Sequence, residues 1–570
     1  MNVIENAEAV NKINRAHWDR IEIINKMQAY QELEMLDLSQ REIVKKIGVP
    51  RSTLKGWLQN HQTLDEDSEV ISFFESSKGL KILHGITTGL HFVFAECGAC
   101  GVSLISKFLE LSKLDKFIAS SESSQRKLNI QLEEAIVEYG NEETILLGES
   151  QPKKDITIVQ DETFTGGLTL LTMDAKSGFI LLEEKSESRD AEAWNSNMAK
   201  AMEQIPSVNI VQSTSDEGTG ILSYVENYLS AHHSPDLFHV QQDLSRAVSV
   251  AMASKLRGAE KSLAKLLEKI QKINNKKQKK IVEGKSDLVE KYDAEITELN
   301  KHYIEVEKRI TYLKIKKEEI RSAIKGIGEI YHPINFEKGT MVESLEIGIL
   351  IEGKIELIRK IAKEENLREA SFDLLDKASR VVPKMVSTIE FFSTYVKKEI
   401  EKLGLDDTES IAIYKSLIPA LYYERLSKQE SKKEQERTDL KNKSEEMKNK
   451  IFTLGGELEN LTINQKEEAE KTCANLVNIF QRSSSCVEGR NGVLSFRHHE
   501  LHNITDRKRK VLTIIHNFFI QRSDGTTAAE RFFEKKPRDL FQKILESVSI
   551  PPRPRSPLRK VMEGSLVMLH

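Results

Sequence analysis

Between residues 155 and 250 the spacing of the apolar residues changes repeatedly, and this limits the folds open to the chain more than any other feature. The run Ile156-Thr157-Ile158-Val159-Gln160 reads as a strand over 155–160. Two more strand-like runs follow at 167–173 and 178–184, each bounded by turn residues. A helix is expected over 190–203, with Ala193, Trp194 and Met198 on one side. A fourth strand at 208–213, a helix at 219–230, a short strand at 236–240 and a helix from Gln241 complete the segment. Strands joined by short turns make an antiparallel meander, whereas strands separated by helices run parallel through crossovers.

That order matches a ribonuclease-H-like fold, in which the first and fourth strands are neighbours. Asp161 ends the first of these strands and Asp216 follows the fourth. The two carboxylates are therefore expected side by side at one sheet edge. A third acid, Glu488, stands on a later helix in Ser485-Cys486-Val487-Glu488-Gly489-Arg490-Asn491-Gly492. Three such carboxylates suit two Mg2+ ions, which take oxygen ligands, with Mn2+ as a possible substitute. A metal pair of this kind serves phosphodiester chemistry. Glu162 and Glu217 adjoin the first two acids, so either neighbour is open as the ligand. Asp174, Asp236 and Asp243 compete on nearby strand ends. His239 is a candidate phosphate or water contact at the same edge.

The 271 residues between Asp216 and Glu488 need an explanation, and residues 251–471 supply one. They are rich in Lys and Glu and hold two heptad stretches. Leu299, Tyr303, Val306, Ile310 and Leu313 form the first; Leu440, Met447, Ile451, Leu454, Leu458 and Leu461 form the second. Both match a coiled-coil seam. The segment is expected to be an all-helical insertion that bulges outward, its two long helices paired antiparallel, with shorter helices at 344–362 and 371–403 between them. The expected organisation is then a helical DNA-binding region at 1–65, a helical linker at 66–150 and the first part of the catalytic domain at 151–250. The insertion follows at 251–471, the second part of the catalytic domain at 472–547, and a Pro/Arg-rich basic tail at 548–570.

Inside the first region, Ser39 to Leu58 has helix-turn-helix spacing. Ser39 and Glu42 form a capping box, Ile43 and Ile47 give a buried face, and Gly48 permits a left-handed turn. Val49 plugs the angle, while Leu54, Trp57 and Leu58 point inward. Arg51, Ser52, Lys55 and Gln59 are left outward, where such side chains read a major groove. Net charge over the whole chain is only -4, but from Thr472 onward 17 Lys and Arg face 9 Asp and Glu, a net of +8. A basic C-terminal part suits a polyanion, and Arg490 and Arg497 are its candidate phosphate contacts. Cys97 and Cys100 form a lone CxxC without a second ligand pair, so packed thiols are expected rather than zinc. The histidine groups His232, His233, His239 and His498, His499, His502 match no zinc spacing. Neither a signal peptide nor a membrane span is expected.

Cys486-Val487-Glu488-Gly489-Arg490-Asn491-Gly492, with Arg497-His498-His499, His516-Asn517-Phe518 and Asp524-Gly525-Thr526-Thr527, resembles the C-terminal part of bacterial insertion-sequence transposases. Thr214-Ser215-Asp216-Glu217-Gly218 and Pro235-Asp236-Leu237-Phe238-His239 resemble their middle. The resemblance is most specific over 482–555 and barely touches the insertion. It implies a DDE transposase with Asp161, Asp216 and Glu488 as the catalytic, metal-holding acids. Related families place a Tyr and an Arg before the Glu and a Lys seven residues after it; here Ser484 and Ser495 stand four before and seven after. The implied partners are double-stranded DNA, at element ends and target, and further copies of the chain in a homodimer or larger assembly. The implied setting is the bacterial cytoplasm, at the nucleoid. The rival expectation is a DNA-binding regulator or an inactive transposase-derived protein.

Overall fold

The structure is a computed structural model that describes residues 18, 20–62, 68–429 and 431–553. The basic tail beyond 553 lies outside the described residues. The chain divides into two compact units: Gln151–Leu494 forms one, and the described residues up to Ser150 join those from Ser495 onward in the other. Among the described residues, no helix is long and apolar enough to cross a membrane.

The Gln151–Leu494 unit is mixed α/β. Its five-stranded sheet consists of β1 (Lys154–Phe164), β2 (Leu168–Asp174), β3 (Ile180–Lys185), β4 (Val208–Ser215) and β5 (His232–Pro235), in the order β3-β2-β1-β4-β5. β1, β2 and β3 form the antiparallel meander, and β4 and β5 are parallel to β1 and to each other. Each parallel step crosses over through a helix, first Ala191–Met202 and then Thr219–Tyr224, as chain connectivity requires. Trp194 and Met198 of the first crossover helix are buried, as their spacing predicts.

Two strand ends differ from expectation. β1 does not stop at Gln160 but runs through Asp161 to Phe164, because Asp161, Glu162, Thr163 and Phe164 all pair with β2. The fifth strand is not at 236–240. It is His232–Pro235, paired with Gln212–Ser215, and Asp236 caps a helix by accepting the Phe238 N–H at 2.8 Å. Pro235 can end a strand because it has no N–H to offer the ladder. His239 therefore lies on a helix.

That helix, Leu237–Val282, turns back through Gly284 (φ +69°) into a second, Ser286–Ile330. The two pack along each other as an antiparallel hairpin. Ile310 and Leu313 of the first heptad stretch are buried in this unit. Their coil partner is thus the preceding helix, rather than residues 440–461. The second heptad stretch breaks: its helix, Glu434–Phe452, ends before Leu454, which is 93% exposed. The chain turns there at Gly455 (φ +82°), and Leu458 is buried from the turn. Helices Ser344–Glu364 and Glu369–Glu401 lie where their periodicity places them. Ile347, Ile351, Ile355, Ile358 and Ile361 give the first its core face. These helices share one apolar core with Leu244 and Met252 of the hairpin and Phe480 of the returning chain.

In the other unit, Gln40–Ile47 and Arg51–Gln62 form the helix-turn-helix. The Glu42 carboxylate accepts the Ser39 N–H at 2.9 Å and its hydroxyl at 2.6 Å. Gly48 adopts φ +67° and its N–H bonds the Val44 carbonyl. Val49 and Leu54 are buried, and Arg51, Ser52, Lys55 and Gln59 are exposed.

Candidate functional site

The site forms where the chain returns to the sheet after its helical excursion. The Thr157 hydroxyl on β1 donates to the Ile479 carbonyl at 2.6 Å, and Gln212 on β4 donates to the Gln481 carbonyl at 2.7 Å. The Leu237 N–H donates to the Arg482 carbonyl at 2.9 Å, and the Ser484 hydroxyl donates to the buried Asp236 carboxylate. The returning segment is thereby stitched across β1, β4 and the start of the hairpin. Helix Ser485–Leu501 begins at once, and its Val487 packs on Val159, Leu171, Met173 and Ile180 of the sheet. Glu488 is the next residue.

β1 and β4 pair in parallel with Val159 opposite Thr214. Asp161 and Asp216 each stand two residues further on, so they project from the same end of adjacent strands. The Asp161 Oδ1 accepts the Glu162 N–H at 2.8 Å, and its Oδ2 accepts the Asn491 amide at 2.6 Å. Asn491 lies one helical turn after Glu488, so one helix face delivers both to β1. Burial pushes the Asp161 carboxyl up to about 7, and the nearby Glu488 and Asp216 carboxylates push the same way. The Glu162 N–H bond and His239 oppose them. Like charges in a half-buried site disfavour ionisation of their neighbours. His239 Nε2 stands 3.6 Å from Glu488 Oε1 and 3.8 Å from Asp236 Oδ2.

The neighbouring acids have other partners. Glu162 accepts from Trp194 Nε1 at 3.4 Å and pairs with Arg189 at 3.4 Å. Burial raises its carboxyl, with a small further push from Asp216. Glu217 adopts φ +67° and pairs with Lys384. Asp236 is a helix cap, and Asp243 pairs with Lys377 at 2.7 Å. Asp161 thus lies near enough to Glu488 and Asp216 to feel both charges, and Glu162 feels Asp216 as well, so these four acids stand together.

Two expected phosphate contacts are corrected. Arg490 is buried, and its guanidinium forks onto Glu183 with both N···O distances at 2.7 Å. A guanidinium held this way inside the fold is not available to a nucleic-acid backbone. Arg497 donates to the Cys97 carbonyl and pairs with Glu500 at 3.0 Å, so it serves packing within its own unit. Cys97 is half-buried, and burial pushes its thiol up to about 11, away from the thiolate that a metal needs.

Among the described residues no three His, Cys, Asp or Glu side chains are grouped closely enough to hold a metal ion as they stand. The kind of residue nevertheless fits hard cations: acidic oxygens from three elements, and Asn491 Oδ1, which is buried without a hydrogen-bond partner beside Asp161. Sequence reasoning missed Asn491. The signal was present in its i+3 spacing from Glu488, which places the two on one helix face.

A family of unknown function (DUF6399) matches residues 413–560. That span contains Glu488, Arg490 and Asn491 and begins well after Asp161 and Asp216. No curated protein and no solved structure matches the chain.

Proposed function

We propose that this chain is a DNA transposase of the DDE type, with a ribonuclease-H-like catalytic domain. One observation carries the reading. Asp161 and Asp216 each stand two residues past the last parallel pair of β1 and β4, Val159 and Thr214, and the helix that carries Glu488 reaches Asp161 through Asn491, although 271 residues separate Asp216 from Glu488. The order β3-β2-β1-β4-β5, with a parallel β1–β4 pair, supports the fold assignment.

In this reading Asp161, Asp216 and Glu488 would hold two Mg2+ ions, with Mn2+ as a possible substitute. Bound there, such ions would supply activation of an attacking oxygen and stabilisation of the leaving oxygen of a phosphodiester. Asn491 fixes the rotamer of Asp161 so that its remaining lone pairs face the site. His239 Nε2 stands 3.6 Å from the Glu488 carboxylate, on the side of the helix start. The helix-turn-helix offers Arg51, Ser52, Lys55 and Gln59 to element-end DNA. Water would break the 3′-O–P bond at the element end, leaving a 3′-hydroxyl and a 5′-phosphate; that hydroxyl would then attack a target phosphodiester and displace the target strand's 3′-oxygen. The active assembly is a dimer or larger on DNA, working at the bacterial nucleoid.

Purified protein incubated with linear DNA and Mg2+ tests the proposal. Asp161→Ala, Asp216→Ala and Glu488→Ala should each abolish metal-dependent strand cleavage and leave DNA binding intact. Wild-type rates in the Asp161→Ala and Asp216→Ala proteins would sink it. Binding without cleavage in the wild-type protein, across Mg2+ and Mn2+, would favour the regulator instead.

A further inference from the structure

The two arms of the helical hairpin differ sharply in charge. Leu237–Val282 carries 11 Lys and Arg against 3 Asp and Glu, a net of +8. Ser286–Ile330 carries 9 against 10, a net of -1. The excess on the first arm is arranged by helical period. Met252, Leu256, Ala259, Leu263, Leu266, Ile270 and Ile273 recur at alternating spacings of four and three, and are buried or half-buried. That is the seam against the second arm. Opposite it, Arg257, Lys261, Lys265, Lys269, Lys272, Lys276 and Lys279 also recur at spacings of three and four, and all are exposed. Arg246 continues the stripe toward the helix start, where His239 meets Glu488. Among the described residues none of these eight cations makes an ion pair, and Glu260 and Glu268 are the acids that fall within their span.

We infer that this outer face of Leu237–Val282 is a track for the phosphate backbone of duplex DNA leading away from the carboxylate site. The length fits. Arg246 to Lys279 spans about 50 Å at 1.5 Å per residue, or about 15 base pairs at 3.4 Å each. From Arg257 to Lys279 successive cations are spaced about 4.5 to 6 Å along the axis, so several phosphates can be met at once. An anionic membrane is a poorer match. An interfacial helix needs an apolar face to bury in the lipid, and the apolar face of this helix is already committed to its partner arm. That the polyphosphate is DNA rather than RNA rests on the proposed transposase function; that it is a duplex polyphosphate rests on charge and length alone.

The test is the salt dependence of binding of the full chain to a duplex DNA of about 40 base pairs. A quadruple variant, Lys265→Gln, Lys269→Gln, Lys272→Gln and Lys276→Gln, should lower the slope of log K against log salt by about 3.6, since each phosphate contact contributes about 0.9. The matching Lys→Arg quadruple should restore the slope. A control quadruple on the second arm, Lys291→Gln, Lys308→Gln, Lys314→Gln and Lys317→Gln, should leave it unchanged. An unchanged slope in the first variant, with an unaltered thermal melt, would overturn the inference, as would an equal loss in the control. Tighter binding to a duplex RNA of equal length, with the same lysine dependence, would overturn the assignment to DNA. The measurement repeated with Asp161→Asn separates the two proposals. A slope unchanged by Asp161→Asn supports the track whether or not the wild-type protein cleaves.

Discussion

Asp161 is the residue on which the site turns. Its folded carboxyl titrates at about 7, against 3.8 for an ordinary aspartate, chiefly because it is desolvated. Over that interval the folded protein holds a proton that the unfolded chain has released. Stability therefore falls as pH rises from about 4 through about 7, and the loss is complete above the folded value. With divalent cations chelated, Asp161→Asn should raise the melting temperature at about pH 8 and leave it unchanged at about pH 3.5, which thermal melts across pH will show. Asn491 is a second residue-scale test. Asn491→Ala removes the 2.6 Å bond to Asp161 Oδ2. On the proposed function, cleavage should fall about 10- to 100-fold and the Mg2+ requirement should rise, as when an outer partner of a metal ligand is lost; DNA affinity should hold. At this scale Asp216 was legible because it follows a strand end and Glu488 because of the motif around it, whereas Asp161 stands inside β1 rather than at its end. Arg490 was not legible. Its partner Glu183 lies 307 positions away, and nothing local distinguishes a buried arginine from one aimed at phosphate.

Elements were legible where their determinants are local. The capping box at Ser39 and Glu42 and the left-handed Gly48 define the helix-turn-helix within ten residues, and both form as expected. A Cβ added at Gly48 would meet no atom within 4 Å, so replacing this glycine strains only the backbone. Gly48→Ala should therefore cost about 1 to 2 kcal/mol, the penalty of a left-handed residue with a Cβ, read as a lower melting temperature with little change in the folded spectrum. The fifth strand lies four residues before its expected start because His232-His233-Ser234-Pro235 has weak strand character. Pairing with β4 makes it a strand. Asp236-Leu237-Phe238-His239-Val240 has the apolar content of a strand but begins a helix capped by Asp236. The heptads show the same limit: a seam announces that a helix has a partner, but not which one.

The whole molecule is two compact units, with Gln151–Leu494 inserted between the two parts of the other. A unit with its own core is expected to fold alone. A fragment spanning 151–501, which keeps all of helix Ser485–Leu501, should melt in one cooperative transition by circular dichroism. A gradual, non-cooperative melt would show that the unit depends on the rest of the chain. Sequence by itself determined the strand–helix order, the helix caps, the turn at Gly48 and the amphipathic faces. Those depend on dihedral preference, hydrogen bonds and periodicity within a few residues. Tertiary structure alone decided that the hairpin helix pairs with its immediate neighbour, that Arg490 is spent on Glu183, and that Asn491 grips Asp161 across 330 residues. Such contacts join distant parts of the chain. They are selected by the packing and desolvation of the assembled core, which no local window of sequence contains.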